Sequence, residues 1–416
     1  MRRFLRLGCL ALGALAVARS SPAQEIGRSW QDFNPDISII IDGFFHYDDS
    51  DEGLGHVLSE VAGFGHVHAG EEHHHHGPEA GFNLNHLELA LSGEIDPAFK
   101  GRAIVGVTPE GAELEEAVIE TTSLPGGVGM KFGKFFSDFG RINPQHSHEW
   151  DFTDAPLVNL LMFGAHGVND IGAQVSWLVP TRSYLLLGAE AFQGDNEATF
   201  PYIGGEPLPE LGGPRMGVGW VKWAPDIGER HGLQLGASYG FGARQEAHDG
   251  DADGTLDHWL DGGARFWGLD LVYKLDRPAA YGRGDLLFQC EFIRRDMDVE
   301  VVRHDPNPAL VGKHKVDAQD GYYMQLVYGF APRWRVGLRW EEVGLTNRTD
   351  LPDGSVEDND PSRRLSLMCD FSNSEFSRLR FGVTRGEYAT DAGVQDVWSV
   401  AVQLQVSLGT HGAHKF

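Results

Sequence analysis

Trp398-Ser-Val-Ala-Val-Gln-Leu-Gln-Val-Ser-Leu408 sets an apolar residue against a small or polar one at every step. Period two marks a strand with one apolar and one polar face. At roughly 3.3 Å per residue, this run crosses the ~25 Å apolar band of a tilted barrel wall. Leu87, Leu89, Leu91 and Ile95 repeat the pattern opposite His86, Glu88, Ser92 and Glu94. Working outward, about sixteen such segments can be read from 36–46 to 396–408. The middle ones fall at 232–243, 263–275, 284–296, 320–330 and 334–345. An even number of strands is the bacterial outer-membrane rule.

The connections alternate in length. Asp96-Pro97, Leu124-Pro-Gly-Gly127, Pro180-Thr-Arg182 and Ala331-Pro332 are turn-like, since proline and glycine break ladders and permit tight turns. Between them lie long polar stretches at 47–81, 136–169, 193–214, 244–262, 297–319 and 346–362. Short periplasmic turns and long external loops are the arrangement of a transmembrane antiparallel β-barrel. A soluble sandwich has no reason to sort loop lengths by parity. Trp177, Trp220, Trp223, Tyr273, Tyr328, Trp334, Trp340 and Trp398 lie near strand ends, where aromatic girdles sit.

Composition agrees. Arg2, Arg3 and Arg6, an apolar run from Leu7 to Val17, and Ser21-Pro-Ala23 read as a secretory signal over 1–23. Residues 24–35 form a short periplasmic segment before a barrel over 36–416. Loss of the signal removes four arginines and no acids, leaving 60 Asp+Glu against 30 Lys+Arg and a formal charge of −30. Such a chain is no partner for nucleic acid and a natural one for cations. Beyond the signal no apolar run approaches the ~18 residues of a membrane helix. Cys290 and Cys369 both fall on apolar faces and read as two free thiols.

Three stretches could carry chemistry. The insert at 47–81 holds His56, His66, His68, Glu71, Glu72, His73, His74, His75 and His76. Imidazole suits Zn²⁺ and its neighbours, so this loop reads as a loose external collector of Zn²⁺; a merely solvated polar loop is the bland alternative. The stretch 136–169 follows the fifth strand, where a sixteen-stranded barrel can fold a loop inward. Arg141, His146, His148, Glu149, Asp151, Asp154 and His166 would then line a pore constriction. Leu157 to Phe163 is apolar enough to pack against a wall. Third, Asp249, Asp251, Asp253 and Asp257, with Gly254, match the first half of a calcium-binding loop and could take Ca²⁺. Position twelve is Leu260, not glutamate. No Gly-x-Ser-x-Gly, His-Glu-x-x-His or phosphate-binding glycine loop is present, and no catalytic residue is expected.

Asn34-Pro-Asp-Ile-Ser38, Gly133-Lys-Phe-Phe136, Phe139-Gly-Arg-Ile-Asn-Pro-Gln-His146-Ser-His148-Glu-Trp-Asp151-Phe, Asp154-Ala-Pro-Leu157 and the ending Ser407 to Phe416 resemble a group of uncharacterised proteobacterial outer-membrane β-barrels. That group is similar to the phosphate-selective porin superfamily, and some members are labelled zinc-regulated outer-membrane receptors. The resemblance implies a channel in the outer membrane, in contact with lipid and lipopolysaccharide. A homotrimer is in keeping with porins of this size. The expected function is passage of small hydrophilic solutes, with divalent metal, zinc above all, as favoured cargo. An anion or general nutrient porin with incidental histidines, and a non-channel metal-binding surface protein, are the rivals.

Overall fold

The computed structural model describes residues 35–64, 78–109, 111–196, 198–248 and 256–409. The proposed signal segment and residues 65–77 of the histidine-rich insert lie outside them. Every wall segment read from the alternation is a strand. In chain order the strands are β1 (Asp36–Asp48), β2 (Gly81–Asp96), β3 (Phe99–Val107), β4 (Ala112–Thr121), β5 (Val128–Phe136), β6 (Asn169–Leu178), β7 (Tyr184–Phe192) and β8 (Met216–Ala224). They continue as β9 (His231–His248), β10 (His258–Leu275), β11 (Leu286–His304), β12 (His314–Ala331), β13 (Trp334–Asp350), β14 (Val356–Asp358), β15 (Ser362–Ser374), β16 (Ser377–Thr390) and β17 (Gly393–Gly409). The three-residue β14 only caps β13 in an external hairpin. The other sixteen are the staves of a closed antiparallel barrel.

Closure is made by β1 against β17, in register from Ser38↔Gly409 to Asp48↔Ser399. The wall therefore has no free edge, the condition for a sheet to stand in lipid. Leu404, Leu408, Val400 and Trp398 point outward and are exposed, as are Leu326, Leu338 and Leu367. Asp42, Glu88, Gln289, Glu291, Arg339, Glu341, Asp370 and Arg380 point inward and are buried. Trp220 departs from the expected aromatic girdle. It lies inside, and its Nε1–H donates to Glu190 Oε1 at 2.9 Å, because its parity matches the inward Met216 and Val218.

Strands β9 to β13 run further than the lipid-facing alternation suggests. In β11 the pattern inverts after Asp296: Met297, Val299 and Val301 are buried inside, while Asp298 and Glu300 face water. Above the bilayer, apolar-in and charged-out is the stable order, so the ladder continues where the lipid signal stops. The expected loops at 244–262 and 297–319 are correspondingly short.

The lumen is not lined by polar groups alone. Helix α1 (Leu54–Ser59) and helix α2 (Leu157–Phe163) both lie in it. Leu54, Val57 and Phe64 join Phe135, Phe139, Leu157, Met162, Phe163, Phe266 and Tyr323 in one buried apolar cluster. The expected external loop at 47–81 thus begins by folding inward: Leu54, Val57, Leu58 and Val61 cannot stay in water when an apolar pocket is at hand.

Candidate functional site

The site is built on the segment between β5 and β6, residues 137–168. It crosses the barrel and is tied to the wall on several sides. Near its start, Gly140 has φ of 60°, and a Cβ there would collide with Glu291. That close approach lets the Arg141 N–H donate to Glu291 Oε1 at 3.1 Å. On β7, Glu190 accepts from the Asp138 N–H at 3.0 Å. Across the lumen, Asp154 pairs with Arg339 at 2.6 Å and Arg364 at 2.8 Å. Glu341 pairs with the same two arginines, at 3.0 and 2.6 Å, and accepts the Leu157 N–H. Arg380 donates to the carbonyls of Phe152 and Trp150. Asp151 meets Arg335 at 3.0 Å. Burial opposes ionisation of Asp154, but the two guanidiniums hold its carboxyl below the ordinary range.

The middle of the segment carries His146 and His148 to the wall opposite. There they meet His86 and Glu88 of β2. His86, Glu88 and His148 place one ligand atom each within 4.8 Å of one another, and so do Glu88, Glu115 and His146. His148 Nδ1 lies 3.0 Å from Glu88 Oε2. His146 Nδ1 lies 3.4 Å from Glu88 and 3.2 Å from Glu115. The two imidazoles stack at 5.7 Å. Burial works against protonation of His146, yet hydrogen bonds to Glu115 and Glu116 and the charge of Glu88 push it up to about 10. His86, Glu88 and His148, with Glu115 and Glu116 beside them, form a set that can bind a divalent metal through mixed nitrogen and oxygen ligands, while the protonated His146 pairs with the carboxylates.

His148 has a second role in the geometry. It also lines a cavity of about 760 Å³ beneath the segment. Arg141, Glu149, Asp151 and Asp154 share that lining, as do Lys274 and Arg378 on the wall. The cavity reaches Tyr281 and Gly282 of the β10–β11 turn and Phe376 of the β15–β16 turn, the periplasmic end.

Six of the seven residues read as constriction-lining lie together inside the barrel. His166 stands apart: its side chain is 74% exposed and sits 3.6 Å from Glu113. His56 is on α1 and bonds Glu52 at 2.8 Å. The other members of the proposed collector, His66, His68, Glu71, Glu72 and His73 to His76, fall outside the described residues. So do Asp249, Asp251 and Asp253. Asp257 is almost buried and bonds His258 Nδ1 at 2.7 Å.

The sequence alone does not join His86, Glu88, Glu115 and Glu116 to the histidines of the segment. His86-x-Glu88 is legible as an ionisable pair on one inward strand face. Glu115 is not, because a bulge opposite Ile104 and Val105 turns two consecutive carboxylates inward.

No protein-family model matches the chain. A protein of Aquifex aeolicus described as uncharacterised is 34% identical over 396 residues, covering 92% of this chain and 80% of that one. This chain belongs to that protein's family. Among solved structures, OprB of Pseudomonas putida overlays with a TM-score of 0.55 at 13% identity, covering 91% and 95% of the two chains. The outer-membrane channel DcaP of Acinetobacter baumannii gives 0.53 at 12%, covering 90% and 97%. The trimer form of OmpT, an outer-membrane protein of Vibrio cholerae, gives 0.53 at 8%, covering 90% and 99%. At these identities the likeness is one of fold. The barrel of this chain is porin-like in fold, and its apolar outer face suits the outer membrane.

Proposed function

We propose that this protein is a porin-like channel for small hydrophilic solutes whose favoured cargo is divalent metal, zinc first. One observation carries the reading. A cluster of histidines and carboxylates sits inside the barrel, and His148 belongs both to it and to the cavity on the periplasmic side. An ion released from Glu88 and His148 has its next polar surface already in contact. The strong negative charge of the chain raises local cation concentration. His66, His68, Glu71, Glu72 and His73 to His76 would act ahead of this step as a collector. By analogy with the trimer form of OmpT, three copies would share the membrane.

The test is zinc entry into proteoliposomes loaded with a zinc-sensitive dye. Wild-type protein should admit Zn²⁺, and Glu88→Gln with His148→Gln should slow entry by about 10-fold or more, the usual cost of a lost metal partner. A small neutral sugar should pass both equally. Equal zinc rates would contradict the cluster's role. The anchoring of 137–168 around the lumen favours a second reading, a metal-binding surface protein that does not conduct. That reading stands if the liposomes gain no permeability while the purified protein still binds Zn²⁺.

A further inference from the structure

A second group of histidines lies far from the cluster, where β9, β10 and β11 rise above the membrane. His258 is directly opposite His248 on one side and His304 on the other. Their rings stack in a row, with centroids 4.8 and 5.2 Å apart and planes tilted by 24° and 21°. They share the inward face of the sheet with the buried Glu246 and Leu260. The neutral ring is the form that binds metal.

Two of the rings are held from behind by carboxylates. Asp257 Oδ1 takes the Nδ1–H of His258 at 2.7 Å, and Glu246 Oε2 takes the Nε2–H of His248 at 2.8 Å. That fixes each tautomer and leaves a lone pair on the opposite nitrogen: Nε2 of His258 and Nδ1 of His248. A carboxylate bonded to the far nitrogen of a metal-binding histidine is the recurrent way such ligands are oriented and made more basic. His304 is set differently. Its Nδ1 accepts the Asn307 N–H at 3.2 Å, so it must give up that bond to join.

We infer that His248 and His258, with His304 as a third ligand, form a transition-metal site at the external mouth, separate from the cluster around Glu88. The metal class is one that prefers imidazole nitrogen: Zn²⁺, Ni²⁺ or Cu²⁺. Zinc–nitrogen bonds of about 2.1 Å require the ligating nitrogens to draw closer than the present ring spacing. Binding requires the rings to leave the stack and turn toward a common point, and the His248 and His258 side chains, at 19% and 22% exposed, face enough solvent to do so. Asp257, one of the residues whose type suggested calcium, serves here as the support of a nitrogen ligand. The site does not depend on whether zinc crosses the membrane.

Zinc itself is the probe. Titration calorimetry on the full mature protein in detergent should show one fewer ion bound in the His248→Gln, His258→Gln double variant. Glu88→Gln, His148→Gln should retain that event and lose another. Asp257→Asn keeps all three histidines and should weaken the mouth event by about 10-fold, which separates support from mere folding. Anomalous scattering at the zinc edge should place a peak against His258 Nε2. An unchanged stoichiometry in the double variant, or zinc peaks at other histidines and none at His258, would overturn the inference and leave the proposed channel function untouched.

Discussion

Glu88 is the residue on which the interior turns. It is 3% exposed and lies within reach of His86, His146 and His148, at 3.7, 3.4 and 3.0 Å. A lone buried carboxylate would be costly, and three imidazoles offset that cost. Glu88→Gln keeps the shape and removes the charge, so zinc affinity should fall by about 10-fold or more while the barrel still forms. Competition with a chromogenic chelator measures it. Asp154 supplies the pH dependence. Its native carboxyl is held below the ordinary value by Arg339 and Arg364. Its contribution is therefore full above the ordinary pKa of about 3.9 and is lost as pH falls through the depressed native value. Acid should release the segment in wild type, reported by the fluorescence of Trp150. Asp154→Asn should start weaker and change little in that window; coincident acid profiles would refute the pairing. At this scale the sequence is half legible. His146-x-His148 and His86-x-Glu88 stand out as pairs, but only the fold brings residues sixty positions apart together, and only a bulge adds Glu115.

The segment 137–168 is the element that makes this barrel different from an empty cylinder. Phe163 packs against Phe139 and Phe266, with centroids 5.5 and 5.1 Å away, and is 2% exposed. Phe163→Ala should cost about 3–5 kcal/mol of docking energy. The segment would then undock part of the time, and single-channel traces should gain frequent openings to a larger conductance. Traces identical to wild type would mean that the segment does not set the pore. The inward fold of this segment is legible in its own residues, because the apolar run Leu157 to Phe163 needs a wall to pack against. The inward turn of α1 has no such signal: Leu54-Gly-His-Val-Leu58 sits in a polar insert and its target is assembled from distant staves. The full length of β9 to β13 is hidden for a related reason. Lipid-facing alternation marks only the part of a strand that lies in the membrane, and above the lipid it inverts.

For the whole molecule, lipid and charge set the terms. Leu404 faces outward at mid-strand and is 53% exposed. Leu404→Arg should cost about 2–4 kcal/mol, and Leu408→Arg, nearer the strand end, about 0–1 kcal/mol. Urea unfolding in detergent or lipid gives both; equal costs would place the membrane elsewhere. The formal charge and the carboxylates around His146 and His148 call for cation preference, whereas Arg335, Arg339 and Arg378 on the cavity wall pull the other way. Which wins is read directly from reversal potentials in a planar bilayer bathed in unequal ZnCl₂. The potential should lie on the zinc side of zero and move toward zero in Glu88→Gln. A potential on the chloride side, unmoved by that substitution, would contradict a cation-selective interior built around Glu88.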